Sequence, residues 1–335
     1  MRFATYNVEW FDALFDDAGQ LHNDDTWSAR HDVTRAAQTE ALGIVFTALD
    51  ADAIMIIEAP DTHRTRDGVK ALETFAAAVD LRARRAILGF ENTTQQEIML
   101  LYDPDAISVR HTPLESADAP RFDGTFAIDL DVDARQDKVT FSKPPLELAV
   151  TTAKGTEMHL IGAHLKSKAP HGARTRDQVM RAAIANRRKQ LAQAIWLRRR
   201  ITSHLNAKRP LMVMGDLNDG PGLDEYEALF GRSSVEIVRG ETDDASLLYD
   251  PHAARALQRR LAAQPTTARF YIREEERYLQ ALLDYVFVSP DLKGLGGTWR
   301  VWHPFDDPGC WRTPELREAL LTASDHFPVT LDIDV

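Results

Sequence analysis

One cysteine, Cys310, in 335 residues rules out an internal disulfide, and a chain without such staples fits a reducing compartment. Cys310 itself reads as a small buried apolar residue. No apolar run approaches the roughly 18 residues of a membrane span, and the opening Met1-Arg2-Phe3-Ala4-Thr5-Tyr6-Asn7 lacks the basic-then-apolar pattern of a secretory signal. The expectation is a soluble, cytoplasmic protein with no obligate protein partner in evidence. Positive charge is also short: 40 Lys and Arg stand against 51 Asp and Glu, a formal charge of −11. That balance excludes a protein whose main task is coating nucleic acid by neutralising phosphates, but not an enzyme that grips one phosphate locally. Repeats, low-complexity tracts and linkers are lacking as well, so one domain is expected over residues 1–335. An apolar content of 44% is ample for its core.

What is present centres on Leu211 to Asp219, Leu-Met-Val-Met-Gly-Asp-Leu-Asn-Asp. A short apolar run ends at Gly215 and delivers Asp216 and Asn218, two positions apart and so on one face of an extended chain. Other strands end in a similar way. Arg2 to Val8 alternates Phe3, Thr5 and Asn7 against Ala4, Tyr6 and Val8. Ala53 to Ile57 is continuously apolar, as a buried strand is, and stops at Glu58. Glu157 to Ala163 stops at His164, followed by Lys166-Ser167-Lys168. Helical spacing marks Ser28 to Leu49, Gly68 to Val79 and Thr175 to Leu205. On the last of these, Arg187 and Arg198 fall on the apolar stripe and are expected to snorkel from its edge, with one of them reaching into a polar site as the lesser alternative. Arg188, Lys189, Arg199 and Arg200 read as a solvated face.

Shorter helices are expected over Leu223 to Phe230 and Leu247 to Ala263, and a hairpin turn over Asp133 to Asp137. Paired strands, Arg269 to Ile272 and Tyr278 to Val288, flank a turn at Glu274-Glu275-Glu276. Asp284 lies inside the second, where a carboxylate among apolar neighbours needs a partner. Asp325-His326 precedes the last strand, Val329 to Val335.

Thr5-Tyr6-Asn7-Val8-Glu9, the strand ending in Glu58, Gly162-Ala163-His164-Leu165, Gly215-Asp216-Leu217-Asn218, Leu283-Asp284-Tyr285-Val286 and Ser324-Asp325-His326-Phe327-Pro328 resemble, in the same order, the signature blocks of the endonuclease/exonuclease/phosphatase family of metal-dependent phosphoesterases. Each block alone is weak; six in order across nearly the whole chain are specific. The resemblance implies a four-layered α/β sandwich, two mixed β-sheets packed face to face with helices outside, and a catalytic pit at one edge. It also departs from the family's pattern. Ile57 stands before Glu58 where a glutamine is common, which removes one hydrogen bond near the acid. Lys143 stands where relatives carry arginine, keeping the charge but losing bidentate recognition.

The chemistry can be argued from residue types. Phosphate-ester hydrolysis needs positive charge on the phosphoryl oxygens, an activated water and a proton for the departing oxygen. Glu58, Asn7 and Asp325 are hard oxygen donors that suit Mg²⁺ or Mn²⁺. His326 is the general base oriented by Asp284, with Asp216 the alternative base. Asn218 and His164 donate to phosphate oxygens. Lys143, Lys166 and Lys168 are surface lysines by default and steer phosphate if their loops cover the pit. Singly, each of these residues is more often a turn former, a core histidine or a loop carboxylate. Jointly they give a phosphodiesterase acting on a phosphate ester, nucleic acid included. A small-molecule or lipid-headgroup phosphate is the alternative, and an inactive binding module the least favoured reading.

Overall fold

The computed structural model describes residues 1–130, 137–169, 172, 174–221, 230–241, 246–258, 264–272 and 276–335. Strands are numbered in chain order. The first sheet takes β1 (Arg2–Asn7), β2 (Ala53–Ala59), β3 (Arg85–Leu88), β4 (Glu97–Tyr102), β14 (Gly297–Val301) and β15 (Val329–Ile333), in the order β14-β15-β1-β2-β4-β3. The second takes β5 (Ile107–His111), β8 (Leu146–Thr152), β9 (Glu157–His164), β10 (Leu211–Asp216) and β13 (Asp284–Val288), in the order β13-β10-β9-β8-β5. Both are mixed: β1 with β2 and β9 with β10 run parallel, and the remaining neighbours antiparallel. Two ribbons stand apart, β6 (Phe126–Ile128) with β7 (Asp137–Val139), and β11 (Ala268–Ile272) with β12 (Arg277–Ala281).

The alternation in β1 sorts its side chains between layers. Phe3 joins Met55, Leu148, Met212 and Val286 in the core between the sheets. Ala4, Tyr6 and Val8 face the other way, into a core closed by α1 (Arg35–Leu49), α2 (Gly68–Ala78) and α8 (Pro314–Ala323). Beyond the second sheet, α3 (Arg176–Asn206) buries Trp196 among Phe122, Phe126 and Phe141. The result is the expected four-layered α/β sandwich, helices outside and two sheets within. The sheets approach closely at Gly162, where a Cβ would fall 2.3 Å from the Met55 sulfur.

Several expected elements shift, each for a local reason. The first helix begins at Arg35, not Ser28, because the Thr34 hydroxyl accepts the Ala37 N–H at 3.3 Å and caps it there. The strand expected over Tyr278 to Val288 breaks at Leu282-Leu283 into β12 and β13, since Thr267 Oγ1 accepts the N–H groups of both Leu283 and Asp284 at 3.0 Å. The helix expected over Leu247 to Ala263 is helical only over α5 (Pro251–Leu257), set by the Asp250 cap and Pro251. Its residues 259–263 lie outside the described residues, as do nearly all of the helix expected over Leu223 to Phe230, most of the turn at Asp133 to Asp137 and two of its three glutamates at 274–276.

The basic face of α3 is where the sequence misleads most. Arg187 and Arg200 do not reach solvent; both are 1% exposed. Arg187 Nη1 donates to Asp219 Oδ1 at 2.7 Å. Arg200 Nη1 donates to both oxygens of Glu147, at 2.7 and 2.8 Å, and its Nη2 reaches the Ala119 and Pro120 carbonyls. An apolar stripe carrying arginine is equally the signature of a buried ion pair when acids wait on the sheet beneath. Met180, which helical spacing puts on the same stripe as Leu191 and Ile201, is 42% exposed.

Candidate active site

The parallel strands bring the site together, because β1, β2, β9 and β10 all end at one edge of the sandwich. Asn7 closes β1, Glu58 lies at the end of β2, His164 closes β9 and Asp216 closes β10. The antiparallel β13 begins there with Asp284, opposite Asp216 in register. Gly215 is required just before the acid. Its φ is +134°, and a Cβ would sit 2.1 Å from the Ala163 carbonyl oxygen.

These ends meet across the seam between the sheets. Asn7 Nδ2, from the first sheet, donates to Asp216 Oδ2, from the second, at 3.1 Å. Asn218, in the left-handed region at φ 50°, donates its N–H to Asp216 Oδ1 at 2.6 Å and its Nδ2 to Asp216 Oδ2 at 3.0 Å. His326 Nδ1 and Asp284 Oδ2 lie 2.7 Å apart, and the other ring nitrogen is 4.0 Å from Asp216 Oδ2. His164 Nε2 is 3.6 Å from the same oxygen. Asp216, Asp284 and His326 together form a group whose ligand atoms lie within 4.8 Å of one another.

Burial and charge set the protonation of these groups. Asp216 is pushed up to about 7, first by burial and then by the charge of Asp284, against the opposing pull of His326 and its hydrogen bonds. Burial alone would draw His326 down, but Asp284, Asp216 and Asp325 outweigh it and hold the ring well above its ordinary range. His164 is held well below, by burial and then by the charges of Lys143, His326 and Lys166, so it stays neutral. Glu58 is raised mainly by burial, with Lys143 and His326 opposing. Glu9, at about 7, is raised by burial and by Asp325, while its ion pair with Arg30 opposes.

The residues fit a hard divalent cation. Asn7 Oδ1 is buried and has no hydrogen-bond partner, which is costly for an amide oxygen unless a ligand takes it. Asp325 lies close enough to Glu58 for its charge to help raise the Glu58 carboxyl, a repulsion that a cation between them would relieve, and all three donors are oxygens. The hydrogen bond that Ile57 removes is supplied from the residue just before β4: Gln96 Nε2 donates to Glu58 Oε2 at 2.6 Å.

All eleven residues singled out in the sequence except Asp284 line one cleft of about 950 Å³, and Asp284 reaches it through His326. The lysines thus leave their default role as plain surface residues. Lys143 is drawn below its ordinary pKa by burial, against the charges of Glu58 and Asp216. Lys168 Nζ lies 2.7 Å from Asp219 Oδ1. Asp219, fully buried, also takes Arg187 and the Ser234 N–H, and with Gln190 it fixes the loop that carries Asn218. Sequence reasoning passed over Asp219 and Gln96, and put Arg187 first at the edge of its helix stripe, with a polar site as the lesser alternative that the structure bears out. The second acid in Asp216-Leu217-Asn218-Asp219 was the available signal for Asp219; Gln96 carried none, being non-local.

Two mixed sheets packed face to face, with helices outside and a polar seam where the parallel strands end, define the class of four-layered α/β sandwiches. Residues 4–326 match the model of the Endonuclease/Exonuclease/phosphatase family, and the chain belongs to that family. Three solved structures share the fold. Truncated Caenorhabditis elegans TDP2 is 12% identical with a TM-score of 0.50, covering 100% of this chain and 97% of that one. TDP2 from C. elegans is 12% identical with a TM-score of 0.51, over 100% and 75%. Humanized D. rerio TDP2 is 11% identical with a TM-score of 0.50, over 100% and 99%. No curated protein matches the chain. Among the described residues, no helix is long and apolar enough to cross a membrane.

Proposed function

We propose that this chain is a Mg²⁺- or Mn²⁺-dependent phosphodiesterase that hydrolyses its substrate by in-line attack of water. The observation that carries the reading is the convergence of the Asp284-His326 pair on Asp216, beside an unpartnered buried Asn7 Oδ1. Asn7, Glu58 and Asp325 would hold the cation, which when bound supplies positive charge to the phosphoryl oxygens. His326, fixed by Asp284, takes the proton of the attacking water in its neutral form, which the charge of a bound cation would favour against the pull of the three carboxylates, and Asp216, at about 7, is the alternative acceptor. Neutral His164 presents an N–H to the phosphate oxygens, Asn218 joins it by turning an Nδ2 hydrogen away from Asp216 Oδ2, and Lys143, Lys166 and Lys168 add charge around them.

The test is hydrolysis of bis(p-nitrophenyl) phosphate and of DNA and RNA oligonucleotides with each metal. The expected result is metal-dependent cleavage that falls by about 10²–10⁴ in His326→Ala, the ordinary contribution of a general base. No hydrolysis with either metal across the panel overturns the assignment. A second reading, a small-molecule or lipid-headgroup phosphate as substrate, is favoured by the acidic charge of −11. Intact oligonucleotides beside cleaved small esters would select it.

A further inference from the structure

Lys166 stands in the loop just past β9, yet both of its backbone polar groups are taken by buried side chains. Gln193 Oε1 accepts its N–H at 2.8 Å, and Gln190 Nε2 donates to its carbonyl at 2.9 Å. The two glutamines lie three residues apart on α3, hence on one face of the helix, and both are buried. Neither serves Lys166 alone. Gln190 Nε2 also reaches the Leu217 and Asn218 carbonyls, at 3.3 and 2.9 Å, and Gln193 Nε2 donates to the Thr140 carbonyl at 3.1 Å, a short step before Lys143. Asn218 Nδ2 closes the arrangement by donating to the Leu165 carbonyl at 3.1 Å.

The side chain placed in this way meets no acid. Lys166 lines the cleft, and among the described residues no carboxylate lies within ion-pair distance of its ammonium. Its surroundings are cationic instead. Burial draws Lys143, Lys189 and His164 below their ordinary values, and the charge of Lys166 adds to the fall in each. Two buried amides thus hold a lysine among like charges, an arrangement that is unfavourable until an anion joins it. The cation donors Asn7, Glu58 and Asp325 stand apart from this frame: they come from the first sheet and the segment before β15, and among the described residues neither glutamine bonds to them.

We infer that Gln190 and Gln193 are positioning residues, which clamp Lys166 by its backbone and tie it to the Asn218 loop so that both approach one phosphate group as a unit. Lys166 is then a fixed phosphate contact and not a source of long-range attraction alone. This rests on the phosphoesterase reading and assigns the part of the protein that holds the phosphate half of its site.

Calorimetric titration with inorganic phosphate, Mg²⁺ present, reads the clamp without turnover. Lys166→Met is expected to weaken phosphate binding about tenfold, as loss of a hydrogen bond to a charged group does. Gln193→Met removes no charge, yet should lose about fivefold alone and add less than about twofold to Lys166→Met, because it acts through that lysine. Gln190→Met should weaken phosphate as well and lower kcat on bis(p-nitrophenyl) phosphate by about tenfold or more, through the misplaced Asn218 loop. In both glutamine variants Mn²⁺ affinity, read by electron paramagnetic resonance, should stay within about twofold of wild type, since the cation donors keep their own supports. Additive losses in the Lys166–Gln193 cycle, or a fall in Mn²⁺ affinity as large as that for phosphate, would show the glutamines supporting the fold as a whole and overturn the inference; so would a wild-type protein that binds no phosphate. If Gln190→Met does not fold, the Gln193 cycle decides alone. Phosphate binding with the expected cycle, but no hydrolysis of bis(p-nitrophenyl) phosphate, would instead overturn the phosphoesterase reading and leave the clamp standing.

Discussion

Replacing Arg200 by methionine is expected to destabilise the protein far more than a surface arginine would. The guanidinium is 1% exposed and binds Glu147, itself 2% exposed, through both carboxylate oxygens at 2.7 and 2.8 Å. With Arg200 gone, Glu147 keeps one backbone donor, Leu114 N–H at 3.2 Å, and a histidine nitrogen at 3.8 Å. An uncompensated buried charge of this kind costs about 3–5 kcal/mol. For 335 residues, an unfolding entropy of about 2.1 cal/mol/K per residue converts that loss into a Tm lowered by about 4–7 °C. Urea and thermal denaturation followed by circular dichroism read both quantities. Pairing Arg200→Met with Glu147→Leu should recover most of the loss, since an apolar replacement of both partners removes the stranded charge. Hydrolysis rates below the transition should stay within about twofold of wild type, because the pair lines no part of the cleft. A single-variant loss under about 1 kcal/mol, the ordinary worth of an exposed pair, would refute the reasoning.

Asp284→Asn keeps the shape beside His326 but removes the charge that orients the ring; kcat on bis(p-nitrophenyl) phosphate should fall by about 10²-fold or more with Tm little changed. Unchanged kcat would remove Asp284 from the site. Gln96→Ala deletes the 2.6 Å hydrogen bond to Glu58 and should weaken Mn²⁺ binding by about 10-fold, read by titration calorimetry or electron paramagnetic resonance without turnover. The carboxyl of Glu97 is pushed up to about 7, chiefly by burial, from a usual 4.5. A raised folded pKa means this acid's contribution to stability is full below about 4.5 and is lost as pH rises through about 7. Glu97→Gln should therefore gain Tm relative to wild type on the alkaline side of that window and not on the acid side; a pH-independent difference would contradict it.

The local part of the fold was legible because periodicity is local. The alternation in Arg2 to Val8 assigned Phe3 and Tyr6 to opposite faces, and Gly215-Asp216 announced a strand end. Six short blocks in order gave the family. Non-local matters escaped: that Arg200 meets Glu147 depends on the sheet lying under α3, and no spacing within α3 encodes it. Gln96 is invisible for the same reason, as it reaches Glu58 from a different strand's entrance. The run Tyr278 to Val288 looked continuous because its composition is continuous; the break comes from Thr267, eleven or more residues upstream.

That the polar seam draws on both ends of the chain has a consequence for biosynthesis. β1, which carries Asn7, pairs with β15, and His326 arrives only three residues before that strand. A nascent polypeptide made only as far as residue 323 holds neither the His326 imidazole nor the strand that seats β1. The seam can therefore close only after the chain has been made through Ile333, the last residue of β15.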